Sequence, residues 1–320
     1  MNSHLTTLNE ANVNYKLAIG LLSTSCFKCK FTPCYIEAIP LLKTSADAYH
    51  ILSKYENELN VRRRLIEAFR YDKNYYDEGN EYEQLTLLYL KCFNNINDAY
   101  IMVCNAYNAY VNGGCYERCV NMLIKRADDF MERKYIDYSE KILKKVFHCV
   151  LMYFHSMCNK VNECNGHAYV YKGITRYVEL LVYMERYEEC VEVLQQVLKI
   201  VFNEEDEERN EVVNVYGMYL SCLLIVKKYD EFENEVDKVK EYTNRFNVDD
   251  KGIVDCVWKI YIEIRNGSSV NEKRLNSYIK NYCELFPYNL GKRMKVFCER
   301  SCNKSMGNNS DIALSKDESK

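Results

Sequence analysis

The sequence predicts an all-α fold: a right-handed α-solenoid of stacked helix pairs, about fourteen helices in all, closing in a C-terminal helical bundle. Three observations predict it. Only three prolines and eleven glycines interrupt 320 residues, whereas a β-rich or doubly wound chain of this length needs many more turn residues. A local pattern recurs, in which an aromatic or polar residue is followed by one or two acids and then by apolar residues at helical spacing. It is seen at Tyr35 (CYIEAI), Tyr55 (KYENEL), Tyr76 (NYYDEG), Asn97 (NINDAY), Tyr116 (CYERCV), Tyr187 (RYEECVEVL) and Tyr229 (KYDEFENEV). The first five of these starts lie about 20 residues apart and the last two about 40, the lengths of one helix and of one helix pair with their turns.

The pattern places helices over 5–22, 33–53, 55–72, 75–93, 97–112, 115–132, 136–156, 165–185, 186–203, 207–227, 229–245, 249–266, 270–284 and 288–302. At each start the acid meets the positive end of the helix dipole, worth about 0.3–1 kcal/mol when exposed. The aromatic residue packs back on the preceding helix, and the apolar stripe faces its neighbours. Gly113-Gly114 and Asn266-Gly267-Ser268-Ser269 are the clearest helix-ending turns. The 29 tyrosines and 12 phenylalanines supply large buried areas to short helices, and they read as core rather than as a cofactor box. A repeat of two helices per roughly 40 residues falls in the range of tetratricopeptide-like and armadillo-like solenoids. The expected organisation is a repeat region over 1–245 with an apolar loop near 26–31, a C-terminal bundle over 246–302, and a polar, disordered tail over 303–320.

Composition narrows the function. Forty-three basic against 46 acidic residues give a net charge of −3, which argues against a dedicated nucleic-acid binder. Sixteen cysteines fall at helical positions such as Cys92, Cys119, Cys149, Cys190, Cys222 and Cys256, where free thiols act as small hydrophobes. The N-terminus lacks the basic and apolar regions of a signal peptide, and the run Val212 to Val226 is too short and too polar to span a bilayer. A reduced, cytoplasmic setting is expected. The five histidines form no HxxxH or HExxH pair, and no GxxxxGK[ST], GxGxxG or GxSxG sequence occurs. Cys26, Cys29 and Cys34 in CFKCKFTPC lack a convincing fourth ligand for zinc, and the acid run Glu204 to Glu208 reads as a solvated connection. The expectation is a protein without catalytic residues, metal or cofactor.

The N-terminal hundred residues resemble the soluble NSF attachment proteins, the gamma branch more than the alpha. The resemblance is carried by LAIGLLSTSCFKCKF from Leu17 to Phe31 and by the following repeat, through Ala46, Ala48, Tyr49, Lys54, Tyr55 and Leu59. It resumes at NDAYIMVCNAYNAYVNGG (Asn97 to Gly114) and at MERYEECVEVLQQVLKIVFNE (Met184 to Glu204), so that it spans 5–245 in helix order. It implies an adaptor that lies along a SNARE complex and recruits an NSF-type AAA ATPase for disassembly in vesicle fusion and transport. The membrane-touching loop of the family corresponds to Phe27, Lys28, Lys30 and Phe31, two apolar wedges and two cations for a weak peripheral contact with a membrane surface. The ATPase-contacting end corresponds to Leu314, Asp317 and Glu318, with Lys316 and Lys320 diluting its acidity. The basic SNARE-facing side does not transfer position by position. Its candidates are Arg118, Lys125, Arg126, Lys141, Lys144, Lys145, Lys172 and Arg176, with Arg62-Arg63-Arg64 as a further basic run.

The alternative is a generic tetratricopeptide-like scaffold that binds a peptide or a subunit. A groove lined with asparagine and lysine that captures a peptide carboxylate distinguishes it.

Overall fold

The computed structural model describes residues 8–24, 32–157, 168–201, 209–245, 252–265, 272–285 and 289–301, and every regular element among them is helical. The helices are α1 (Leu8–Leu22), α2 (Tyr35–Ile51), α3 (Tyr55–Tyr71), α4 (Tyr75–Leu88), α5 (Ile96–Asn112), α6 (Tyr116–Glu132) and α7 (Ile136–Met157). They continue with α8 (Ala168–Tyr183), α9 (Tyr187–Val201), α10 (Arg209–Ile225), α11 (Tyr229–Arg245), α12 (Gly252–Arg265), α13 (Glu272–Leu285) and α14 (residues 289–301). The all-α expectation holds, and each described helix coincides with a predicted one to within a few residues.

One turn recurs through the described residues. Between α2 and α3, Ser53 adopts the left-handed region at φ 55°. Its N–H donates to the His50 carbonyl, and the Lys54 N–H reaches back to the Tyr49 carbonyl. This closure satisfies carbonyls that a helix end leaves unpaired. Lys54 then accepts the Glu58 N–H, so the residue that ends one helix starts the next. The same three bonds recur around Lys73, Gly114, Lys134, Glu185 and Lys227. The residue four before each left-handed position is a large buried anchor: Tyr49, Phe69, Tyr110, Phe130, Leu181 and Leu223. The residue two after is Tyr or Ile, which explains the periodic tyrosines of the sequence.

The turn at Asn94 differs by one residue. Its bond runs from the Asn95 N–H to the Tyr89 carbonyl, and the end of α4 widens into a π-helical turn over Tyr89–Phe93. A π turn absorbs one inserted residue without breaking the helix. That insertion is why the left-handed positions 53, 73, 94, 114 and 134 are spaced by 20 or 21 residues. Gly113-Gly114 forms its predicted turn, whereas Asn266-Gly267-Ser268-Ser269 lies outside the described residues.

Such short connections make consecutive helices antiparallel neighbours. The chain divides into two compact units, one through Cys149 and one from Val150, with the division inside α7. In the first unit α1 to α6 pack in chain order, and Tyr138 of α7 packs against Phe130 and Tyr100. In the second unit α8 to α13 pack in order, and α10 also touches both α8 and α12. Within each unit the helix pairs therefore stack as a solenoid requires. Alanines allow α1 and α2 to approach closely (Ala11, Ala18, Ala38, Ala46 and Ala48, all buried). In the second unit Phe232 packs against Trp258 and Tyr261. No described helix is long and apolar enough to cross a membrane.

Candidate functional site

Helices α3, α4 and α5 of the first unit bring together more polar side chains than a packing role requires. On α3, the buried Arg62 donates to Glu58 at 2.7 Å and to Glu81 of α4 at 2.8 Å. His50 of α2 reaches the other oxygen of Glu58 at 2.9 Å. Burial alone lowers the Arg62 pKa, yet the flanking Glu81 and Glu58 outweigh it and hold the guanidinium charge more firmly than usual. Burial pushes the Glu81 carboxyl up despite Arg62. This network fastens α3 to α4. Removing one partner from such a buried pair costs more than the pair contributes.

A second network ties α4 to α5 and α6. Tyr110 is wholly buried; its hydroxyl donates to Glu83 at 2.5 Å and lies 2.8 Å from the Asn80 carboxamide oxygen. Arg118 donates to the same two acceptors. Burial and the bond to Glu83 drive the Tyr110 pKa far upward, so the phenol stays protonated. Helix α4 comes so close here that a side chain at Gly79 has no room beside the Tyr110 ring.

Residues of α3, α4 and α5 also line a pocket of about 270 Å³, formed by Arg70, Tyr75, Glu78, Tyr82, Asn105, Asn108, Ala109 and Asn112. Arg70 is held from behind, its Nε donating to Glu78 at 2.9 Å and an Nη to the Tyr82 hydroxyl at 2.5 Å. The bond to Glu78 raises the Arg70 pKa, and burial raises that of Tyr82. The three asparagines stand at i, i+3 and i+7 on α5 and so share one helix face. Their neighbours Ala106, Tyr107 and Tyr110 are buried, and Ala109 lines the pocket among them. Asn108 and Asn112 are exposed and Asn105 is half-buried. None of the three side-chain amides has a hydrogen-bond partner among the described residues. The site holds unspent donors and acceptors, with a fixed guanidinium at one wall.

The basic residues expected on a SNARE-facing side are largely engaged within the chain. Arg118 pairs with Glu83 at 2.8 Å, Lys144 with Glu140 at 2.8 Å, and Arg176 with Glu179 at 2.9 Å. Lys141 lies over the Tyr138 ring at 5.3 Å and Lys145 over the Tyr107 ring at 4.8 Å. Arg126 is only 2% exposed and lies 2.9 Å from Asp129, so its charge is not presented to a partner. Lys125 and Lys172 are exposed. The structure brings Lys141, Lys144 and Lys145 onto one stretch of α7. It separates Arg62, Arg63 and Arg64, which bond to Glu58 with Glu81, to Tyr89 and to Glu67 respectively. Phe27, Lys28, Lys30 and Phe31, and likewise Leu314, Asp317 and Glu318, lie outside the described residues, as do Cys26 and Cys29. Cys34 precedes α2 as a half-buried free thiol. Among the described residues no three His, Cys, Asp or Glu side chains are grouped to hold a metal ion.

Sequence reasoning missed Arg70, Glu78 and the three asparagines as a group. The signal was present in NAYNAYVN, an uncharged amide stripe at helical spacing opposite a stripe of Ala and Tyr.

The sequence profile of the C-terminal part of subunit R of type I restriction and modification enzymes matches residues 179–289, a minority of the chain lying wholly in the second unit. No curated protein matches the chain. Among solved structures, the chain is similar to BtubC (BKLC) from P. vanneervenii at 12% identity and a TM-score of 0.35, covering 77% of this chain and 93% of that one. It is also similar to a Podosopora anserina chain described as a kinesin light chain with nearly identical TPR-like repeats, at 11% identity and a TM-score of 0.33, covering 77% and 99%.

Proposed function

We propose that this chain is a helical-repeat scaffold for protein contact, and that its first unit holds a peptide segment of a partner in the asparagine-lined pocket. The carrying observation is the row Asn105, Asn108 and Asn112, whose amides have no partner of their own and open beside the fixed Arg70. Polar side chains gain little by facing water in a preset row, but they gain specificity when they converge on a ligand. The reading assigns the chain no catalytic step, metal or cofactor. The test is selection from a displayed random-peptide library by the full chain and by Asn108→Ala plus Asn112→Ala. Enrichment by the wild type alone is the expected result. No enrichment, or equal enrichment by both proteins, overturns the proposal.

A second reading is the adaptor of SNARE complexes and an NSF-type ATPase, cytoplasmic and peripherally attached to membranes. The sequence resemblance over 5–245 favours it, and the run of helix pairs from α1 onward is compatible with it. Co-sedimentation with SNARE bundle and ATPase tests the contacts. Liposome flotation of Phe27→Ala plus Phe31→Ala tests the loop, and unchanged flotation removes that assignment.

A further inference from the structure

We infer that the occupant of the α3–α5 pocket is an extended, uncharged stretch of main chain, recognised through its peptide groups and not through a carboxylate. The inference rests on the scaffold reading and specifies the chemistry of its ligand.

Charge decides between the two ligand classes. Among the described residues the one cation lining the pocket is Arg70 and the one anion is Glu78, and they are bonded to each other at 2.9 Å. The Arg70 side chain is 59% exposed and that of Glu78 only 7%, so an entering carboxylate meets a solvent-screened guanidinium that is already paired, with the poorly screened anion directly behind it. The pocket is electroneutral before anything binds. Arg70 still has unspent capacity, because a guanidinium carries five N–H donors and Glu78 and Tyr82 occupy two of them. Those donors suit neutral carbonyl oxygens.

The asparagines supply the rest. Each carboxamide offers donors and an acceptor in one plane, the same complement that a peptide group presents in reverse. On α5 the helical rise separates Asn105 from Asn108 by about 4.5 Å and Asn108 from Asn112 by about 6 Å along the axis. An extended chain presents same-facing peptide groups every two residues, about 6.6 Å apart. Asn108 and Asn112 therefore match two successive same-side groups of one strand, whereas Asn105 falls about 2 Å short of the next. A volume of about 270 Å³ lies below the roughly 300–1,000 Å³ of drug-sized ligand sites. It suits a short length of backbone with small side chains between the walls of Tyr75 and Tyr82.

The experiment uses the full chain and fluorescein-labelled decapeptide pools read by anisotropy. One pool is acetylated and amidated and lacks Asp, Glu, Lys and Arg. A second has the same sequences with a free C-terminal carboxylate, a third carries glutamates, and a fourth repeats the first with N-methyl groups at alternate residues. The capped neutral pool is expected to bind at least as well as both anionic pools, with little change as salt is raised. N-methylation is expected to weaken it at least about tenfold, as is Asn108→Ala plus Asn112→Ala, because several hydrogen bonds are lost together. Asn108 and Asn112 are exposed, so the double variant is expected to keep its helicity, checked by circular dichroism. Preference for either anionic pool, or binding indifferent to N-methylation, overturns this inference while sparing the scaffold reading. Failure of every pool to bind overturns the scaffold reading itself.

Discussion

Replacing Gly79 by alanine tests the packing that shapes the site. A Cβ built there falls 2.5, 2.7 and 2.8 Å from three carbons of the Tyr110 ring, closer than such contacts tolerate. The ring has no easy retreat, since its hydroxyl is anchored on Glu83 and Asn80 and the residue is wholly buried. Overpacking costs about 1–3 kcal/mol, and the fixed ring argues for the upper half of that range. Alanine returns about 1 kcal/mol over glycine in a helix interior. The net is a destabilisation of about 1–2 kcal/mol confined to the first unit. The assay is native-state hydrogen exchange of peptides from α4 and α5, with peptides around Trp258 in the second unit as internal reference. Exchange in α4 and α5 is expected to accelerate roughly five- to thirtyfold, and the added effect of Gly79→Ala is expected to be smaller in a Tyr110→Leu background. The control is Gly20→Ala in α1, where the added Cβ meets nothing within 4 Å, and which is expected to be neutral or stabilising. If Gly79→Ala behaves like Gly20→Ala, the close approach of α4 and α5 is wrong.

Gly114 sits at φ 68° in the α5–α6 turn, so Gly114→Ala is expected to cost about 1–2 kcal/mol, read from chemical denaturation. At Lys134, held at the same kind of angle without being glycine, Lys134→Gly is expected to stabilise by a few tenths of a kcal/mol after the entropic cost of glycine. Arg118→Ala removes one of two donors to the buried Glu83 and is expected to cost about 1–2 kcal/mol in the same assay. Glu81 holds its proton more tightly in the fold than in the unfolded chain, because burial outweighs Arg62. Its contribution is therefore most favourable below the ordinary carboxyl pKa and is lost as pH rises through the raised value. The melting temperature of Glu81→Gln minus that of wild type is thus expected to climb from about pH 4 to about pH 8, and a flat or falling difference contradicts this.

The fold was legible because the turn chemistry repeats in the sequence. The buried anchors at Tyr49, Phe69, Tyr110 and Phe130 and the tyrosines after each turn are consequences of one closure, so they recur at its spacing. The left-handed residues were not legible, because Ser53, Lys73, Lys134, Glu185 and Lys227 stand where glycine is the usual signal. Tertiary packing and the paired carbonyl bonds hold them there at a local cost. The extra residue before Asn94 was equally hidden, since a π turn leaves the apolar pattern running. For the site, charge misled. The lysines and arginines that drew attention are mostly satisfied by neighbouring acids or rings. The informative residues were uncharged asparagines, whose lack of partners shows only once α3, α4 and α5 are side by side.

The most direct measurement is a two-dimensional NMR spectrum of the asparagine side-chain carboxamides, assigned by Asn→Gln replacement at each position, with and without a capped neutral peptide taken from the selection above. The resonances of Asn105, Asn108 and Asn112 are predicted to shift together at saturation, while that of Asn60, on the exposed side of α3, stays in place. A bound peptide that leaves those three unmoved contradicts the account.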